Sequence, residues 1–278
     1  MPVTYLAIDG MIATITLDHP PGNRINFAMR EELLAAFHKV ACSDARVLLI
    51  RAEGRDFSLG GDVRDWAGIT AHELRPRIEV YAEALDQLER LAIPVVAAVQ
   101  GRCLGGGFEL VLGCDVIVAA ESSQFGCPEA LLGISTLQGG VFQLAQRIGR
   151  VRAAEFVFLS DLYTAEVMER LNLVNRVVPD HELEDSAGAL VDRLASGSPQ
   201  AYAVTKTLLR AWSAGGVSAA RSVLYDISMP LFDTEGVQTA LRRAASSTNQ
   251  DSAFPIQSFG DHKRSSLPKG EDEGGNTQ

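Results

Sequence analysis

The sequence has few cysteines and no paired cysteine motif. No C-x-x-C pair occurs, and no histidine lies at ligand spacing from any cysteine. Such spacings mark most zinc sites and disulfide frameworks. We therefore expect no metal site, and we expect free, mostly buried thiols. The four cysteines are Cys42, Cys103, Cys114 and Cys127.

The sequence also has no excess of basic residues and no uninterrupted apolar run. Its formal net charge of -10 argues against a nucleic-acid surface. The longest apolar region, residues 93–120, contains Gln100, Arg102, Glu109 and Asp115, so it does not predict a membrane span. The first residues show no basic-then-apolar leader. These absences predict a cytoplasmic protein with no nucleic-acid or membrane partner.

Apolar residues make up 46% of the 278 residues, which is ample for the core of one large domain or two small ones. Strand patterns dominate the first two thirds, and helical patterns dominate the last third. Asp9-Gly10 between two β-rich runs predicts a hairpin. Thr70 and Glu73 predict a capping box at a helix start. Residues 246–278 are mostly polar, and we expect the end, residues 269–278, to be disordered.

Residues 100–110, QGRCLGGGFEL, join a strand-like run to a short helix-like run. A glycine triplet is poor inside either element but suits a sharp bend or a close approach to a ligand. The helix would begin with free N–H groups and a positive dipole end, and Glu109 lies just inside it. Exposed amides beside a carboxylate suggest a site that stabilises negative charge while moving protons. Taken alone, the stretch is also consistent with a phosphate-binding turn or with tight helix–strand packing.

Four segments match, in order and spacing, the motifs of one family. Residues 56–64 (DFSLGGDVR) are similar to F-S-x-G-x-D-h-(K/R), and residues 97–110 to A-x-h-x-G-x-h-x-G-G-G-x-E-L. Residues 125–133 (FGCPEALLG) are similar to F-G-x-P-E-x-x-L-G, and residues 173–179 (LVNRVVP) to L-V-x-x-V-V-P. Over about residues 3–245 the chain therefore resembles the crotonase family, the enoyl-CoA hydratase/isomerase superfamily.

The resemblance implies an α/β fold of the crotonase (ClpP/crotonase-like) type, a ββα spiral with a helical C-terminal region. We expect the spiral core and the active site in residues 1–195. Residues 196–247 would form a helical region for oligomerisation and for covering the site, and residues 248–278 a polar tail. Because family members usually form trimers or dimers of trimers, we expect a homotrimer or a dimer of trimers.

The resemblance also implies a catalytic centre. Two backbone N–H groups, by position those of Leu59 and Gly106, would bind the thioester carbonyl oxygen and stabilise an enolate. Two acids, Glu109 and Glu129, would share one water in a poorly solvated pocket, where both cannot easily be ionised. One would take a proton from the water and the other would protonate the α-carbon. The implied reaction is syn addition of water to a 2-enoyl-CoA.

Further residues are implied in binding the substrate. Arg24 and Ile25 would lie along the CoA nucleotide, and Arg24 and Arg64 could meet its phosphates, although both are equally consistent with solvated charges. Coenzyme A is part of the substrate, and no separate cofactor is expected. The full set of candidate substrate and CoA contacts is Arg24, Ile25, Ser58, Gly60, Asp62, Arg64, Gly105 and Leu137.

One segment departs from the family pattern. Thr136 stands where hydratases usually have a proline, and Leu137 replaces a glycine whose amide lies near the catalytic water. The wall above the two acids is therefore altered, which leaves two alternatives open. One is an isomerase or another acyl-CoA lyase or isomerase of the same superfamily. The other is a non-catalytic acyl-CoA-binding protein. A nucleotide-phosphate binder is disfavoured, because no acid follows residues 105–107 at the dinucleotide spacing.

Overall fold

The computed structural model describes residues 2–246. These residues fall into two compact units, the first ending at Ser222 and the second beginning at Val223. The predicted division at residues 195 and 196 stays a prediction, and the predicted polar tail lies outside the described residues. Within residues 2–246, no helix combines the length and the apolar character needed to cross a membrane.

The first unit is built on a six-stranded sheet and a smaller three-stranded one. The larger sheet has the order β1-β2-β3-β4-β6-β9, in which β1 and β2 are antiparallel and the other neighbours are parallel. The smaller sheet has the order β5-β7-β8. The strands are β1 (Thr4–Asp9), β2 (Ile12–Leu17), β3 (Val47–Ala52), β4 (Val95–Val99), β5 (Arg102–Leu104), β6 (Val116–Ala120), β7 (Gln124–Gly126), β8 (Tyr163–Thr164) and β9 (Arg176–Val178).

Helices connect the strands and continue after the last one. They are α1 (Phe27–Ala41), α2 (Ala71–Arg90), α3 (Gly106–Leu112), α4 (Gly140–Ile148), α5 (Arg150–Leu159), α6 (Ala165–Arg170), α7 (Leu183–Ala195), α8 (Pro199–Ser228) and α9 (Glu235–Ser246). Gly215 and Gly216 have non-helical backbone angles, so α8 is interrupted at these two residues.

Several local predictions are confirmed. Asp9 pairs with Ile12 across the predicted hairpin. Thr70 and Glu73 form both hydrogen bonds of the capping box that begins α2. Pro128 disfavours a helical backbone at the residue before it, which predicts a loop at residues 127–129, and this prediction is only partly correct. A 3-10 helix covers Pro128–Leu132, and only Cys127 before the proline keeps a non-helical backbone.

Alternate residues of the larger sheet face two separate apolar clusters, as the strand period of two requires. In β4, Val95, Ala97 and Val99 belong to the larger cluster, whereas Val96 and Ala98 face the smaller one, which α7 covers. All five residues of β4 are buried. This strand therefore fixes the position of the glycine-rich stretch that follows it. Of the four free thiols, all but Cys42 are buried, as expected.

Candidate active site

A cavity of about 380 Å³ opens where the segments carrying the family motifs come together. Its wall is formed by the loop before α1, the loop between β3 and α2, the turn that opens α3, and residues 128–138. Both predicted acids, Glu109 and Glu129, line it. These segments are distant in sequence and are joined by sheet pairing, so the cavity forms only when the chain folds.

Glu109 is buried and fixed by backbone amides. Its side chain is 2% exposed, and Oε1 accepts hydrogen bonds from Gln138 N and Gly140 N, each at 2.9 Å. Burial raises the pKa of Glu109 to about 7, and nearby Glu129 adds to the rise, while the two amides oppose it. Glu109 is thus an acid that can gain or lose a proton near neutral pH.

The segment that departs from the family pattern still supports Glu109. Thr136 is buried, and its Oγ1 accepts a hydrogen bond from Val141 N at 3.1 Å, which ties the segment to the start of α4. Gly140 allows the approach, since a Cβ there would lie 3.1 Å from Glu109 Oε1. The amide of Leu137 has no acceptor within residues 2–246, and its side chain is 45% exposed in the cavity wall. Leu137, at the position of a glycine in the family pattern, therefore adds a side chain to the cavity wall and keeps the backbone amide free.

Glu129 lies against the glycine turn. A Cβ on Gly105 would come within 2.8 Å of Glu129 Oε1 and displace that carboxyl, and the φ of 49° at Gly105 itself favours glycine. Glu129 Oε2 is buried without a hydrogen-bond partner in the described chain. Burial raises the pKa of Glu129 from its ordinary value. An unpartnered carboxyl oxygen favours the protonated form.

The Glu109→Gln variant is expected to show a weaker dependence of stability on pH. The folded-state pKa of Glu109 is raised, so its contribution is full below the ordinary value of 4.5 and is lost as pH rises through about 7. Between about pH 5 and pH 8, the native protein should lose roughly 1–3 kcal/mol more unfolding free energy than the variant. Denaturant unfolding at several pH values measures this. Equal losses in both proteins would contradict the burial of Glu109.

One of the two backbone N–H groups predicted to bind the thioester oxygen is corrected. Leu59 N donates to Gly22 O at 2.8 Å, so this amide is not available to a ligand. Gly61 N and Gly106 N, in contrast, have no acceptor among the described residues. A Cβ on Gly106 would lie 3.7 Å from Gly61 N, which shows how closely the two glycines approach. Gly61 and Gly106, both in the cavity wall, form the free pair.

The pairing of the loop explains why Gly61 N is free. Ile25 N donates to Gly60 O and Asp62 N donates to Ile25 O, which forms a parallel bridge around Gly61. Successive amides of an extended chain point to opposite sides. The amide between the two bridge bonds therefore points away from Ile25. On the other side of the pair, Tyr81 Oη donates to Gly106 O at 2.7 Å, an oxygen of the peptide that follows the free Gly106 amide.

Ser58 shapes the site without lining it. It is fully buried, its Oγ donates to Asn23 O at 2.7 Å, and the same oxygen accepts from Gly60 N at 3.2 Å. A Cβ on Gly107 would lie 2.5 Å from Ser58 Cβ, so only glycine fits at that position. The prediction of a substrate contact is corrected to a role in holding the loop against α3.

Asp62 and Arg64 are likewise outside the cavity wall. Asp62 is 3% exposed and accepts from Arg64 Nε and Nη2 at 2.8 and 2.6 Å. This ion pair holds the pKa of Asp62 below its ordinary value and caps the 3-10 helix Val63–Asp65. Asp62 is occupied by this pair, whereas the Arg64 side chain is 67% exposed, and the predicted contacts of both residues with substrate stay predictions.

The remaining candidates do line the cavity: Arg24, Ile25, Gly60, Gly105 and Leu137. Their contact with CoA stays a prediction. Sequence reasoning missed Gly61, Arg30, Trp66 and Tyr81, which lie in the same wall. The motif in residues 56–64 pointed to the loop that carries Gly61. No pattern marked Arg30, because it stands next to Glu31 and Glu32 in α1, as a charge on an exposed helix face would.

The chain is similar in sequence to known proteins over most of its length. Residues 7–242 match the family model for enoyl-CoA hydratase/isomerase. A carnitinyl-CoA dehydratase of Salmonella agona is 38% identical over 214 residues, which cover 75% of this chain and 80% of that protein. A mevalonyl-coenzyme A hydratase of Aspergillus fumigatus is 35% identical over 181 residues, 65% of this chain and 67% of that protein.

A solved structure of a related protein has a similar fold. A Thermobifida fusca protein, assigned as an enoyl-CoA hydratase and crystallised with CoA, superposes with a TM-score of 0.77. It is 28% identical, and the match covers 84% of this chain and 93% of that one. The predicted crotonase fold, an α/β core with a helical C-terminal region, is confirmed. The chain belongs to the enoyl-CoA hydratase/isomerase family.

Proposed function

We propose that this protein is an enoyl-CoA hydratase. The observation that carries the proposal is the presence, in one cavity, of two free backbone amides and two acids, of which Glu109 is buried and Glu129 is half-buried. The amides of Gly61 and Gly106 would bind the thioester oxygen, where charge develops as the enolate forms. The CoA complex of the Thermobifida fusca protein supports an acyl-CoA as the ligand.

The two acids have environments that suit different roles. Glu109 accepts two amide hydrogen bonds, which stabilise its ionised form, so it acts as the base that takes a proton from water. The hydroxide oxygen then bonds to C3, and the electrons of the double bond move towards the thioester oxygen. Glu129, whose Oε2 lacks a partner, supplies a proton to C2. A proton passes from Glu109 back to Glu129 before the next turnover.

We also propose that the protein self-associates, as predicted from the sequence. Helices α4 and α5 carry exposed apolar side chains, among them Phe142 at 67%, Val151 at 81% and Phe158 at 77%. Exposed apolar patches of this kind mark protein contacts more often than free surface. This supports self-association, and the resemblance to the family implies a homotrimer or a dimer of trimers. No separate cofactor is proposed, since coenzyme A enters as part of the substrate.

A panel of 2-enoyl-CoA thioesters of increasing chain length tests the proposed activity. We expect at least one thioester to lose the absorbance of its conjugated double bond and to yield a 3-hydroxyacyl-CoA. Binding of the panel in calorimetry without any turnover would instead indicate a non-catalytic acyl-CoA-binding protein. Conversion of 3-enoyl to 2-enoyl thioesters alone would indicate an isomerase.

A further inference from the structure

A second charged group lines the cavity and has no part in the proposed chemistry. Arg30, in α1, is 2% exposed and contributes to the cavity wall. It forms no ion pair in residues 2–246, although Asp65 acts on its charge at longer range. Burial lowers the pKa of Arg30 from its ordinary value, but a guanidinium remains protonated in proteins. A buried cation without a bound anion is costly unless a ligand supplies the charge.

Aromatic rings enclose this guanidinium. Its carbon lies 5.3 Å from the ring centroid of Phe27, 5.6 Å from that of Trp66 and 5.9 Å from that of Tyr81. Cation–π contacts of this kind stabilise a cation over the ring faces. They provide no acceptor for the N–H groups in the plane of the guanidinium, and they do not neutralise its charge.

Most of those N–H groups lack acceptors. Within the described residues, only Nη1 of Arg30 makes a hydrogen bond, to Arg77 O at 3.2 Å. Nε of Arg30 and Nε1 of Trp66 are both buried without a partner. Buried donors are normally paired, so two neighbouring orphans in one wall point to an acceptor that is bound from outside the chain.

The position of this aromatic cage identifies the part of the ligand that it would meet. A Cβ on Gly61 would lie 2.5 Å from Trp66 Cζ2, and a Cβ on Gly106 would lie 3.4 Å from Tyr81 Cε1. The cage therefore adjoins the amide pair that is proposed to hold the thioester oxygen. The phosphates of CoA are separated from the thioester by the whole pantetheine arm. The amides of that arm are neutral and cannot supply the missing charge, so the anionic group that reaches Arg30 is on the acyl side.

We infer that the acyl group taken by this site ends in a carboxylate, bound by the guanidinium of Arg30 and the indole N–H of Trp66. The inference rests on the proposed function for the placement of the thioester. A carboxylate is the acceptor that matches a guanidinium in charge and geometry. A neutral chain would leave the cation unpaired, and a cationic one would be repelled.

Matched thioesters test the inference in the native protein. At each chain length, a 2-enoyl-CoA with a terminal carboxylate is compared with its methyl-terminated counterpart, for example 2-hexenedioyl-CoA with 2-hexenoyl-CoA. We expect kcat/KM to favour the carboxylate by at least about tenfold at one length. A preference for the methyl-terminated thioester at every length would overturn the inference, and so would equal values.

Variants separate recognition from a purely structural role. Arg30→Met keeps the volume and removes the charge, and Trp66→Phe keeps a ring and removes the N–H. We expect Arg30→Met to lower the preference by about 10- to 100-fold, and Trp66→Phe to lower it less. The control Arg75→Met removes an exposed cation of α2 and should leave the preference unchanged. If Arg30→Met changes the melting temperature but keeps the preference, Arg30 serves only packing.

A binding measurement distinguishes failure of this inference from failure of the proposed hydratase activity. Calorimetry compares adipoyl-CoA with hexanoyl-CoA, which are saturated and need no chemistry. Tighter binding of adipoyl-CoA, lost in Arg30→Met, supports the inference even if no thioester is hydrated. Equal affinities in the native protein overturn it even if hydration is found. If Arg30→Met does not fold, the Trp66→Phe variant and the native ratio still decide the matter.

Discussion

Glu129→Gln is expected to lower kcat for hydration by roughly 10²–10⁴-fold, and Glu109→Gln to do the same. Each substitution keeps the shape of the side chain and removes a group that carries a proton in the proposed reaction. In the Glu109→Gln variant, the amide oxygen of the new side chain can still accept hydrogen bonds from Gln138 N and Gly140 N. The loss would therefore report chemistry and not collapse of the wall.

Steady-state kinetics on the two variants, with their melting temperatures, measures this effect. Glu166→Gln is the control, because Glu166 is an exposed acid of α6 paired with Arg170. It should retain full activity. The double variant should lose little more than either single variant, since the acids act as a unit. Turnover within a few-fold of native in Glu129→Gln would rule out the paired-acid mechanism.

Replacing the amide of Gly61 by an ester is expected to lower kcat by about 10²–10³-fold, or roughly 3–4 kcal/mol. Glycolic acid incorporated at position 61 removes one N–H and leaves every side chain in place. Because Gly61 N has no acceptor within residues 2–246, folding should be little affected. A side-chain substitution would be less clear, since a Cβ there would meet the Trp66 ring at 2.5 Å.

The same exchange at position 59 is the matched control. Leu59 N donates to Gly22 O, so an ester there should cost about 0.5–1.5 kcal/mol of stability and little activity. Unfolding measurements and kinetics on both esters separate the two effects. A large loss of kcat from the ester at Leu59, with none from the ester at Gly61, would restore the pair predicted from sequence.

Which of the Leu59 and Gly61 amides is free could not be predicted from the sequence. The motif in residues 56–64 located the loop, and the glycine triplet located Gly106 and Glu109. Which amide of the loop is free depends on Gly22 O and on the bridge to Ile25, which are tertiary contacts without a local signal. Ser58 was misassigned for the same reason, since its contact with Gly107 forms only after folding.

Long elements were easier to predict than short ones. The periodicity of α1 and α2 and the hairpin of β1 and β2 are local properties, so the sequence carries them. The strands β5 and β8 have three and two residues, and each is defined by pairing with β7. Arg30 resembled an ordinary helix-surface cation. Its burial follows from the packing of Phe27, Trp66 and Tyr81 around it, which no spacing reveals.

In the proposed mechanism, one cavity uses both acids to add water to a 2-enoyl-CoA. Incubation of the native protein with a 2-enoyl-CoA in oxygen-18 water, followed by mass spectrometry of the thioester, tests it directly. We expect a 3-hydroxyacyl-CoA that carries one oxygen-18 atom, formed roughly 10²–10⁴-fold more slowly by Glu109→Gln and by Glu129→Gln. Migration of the double bond without incorporation of oxygen-18 would contradict it.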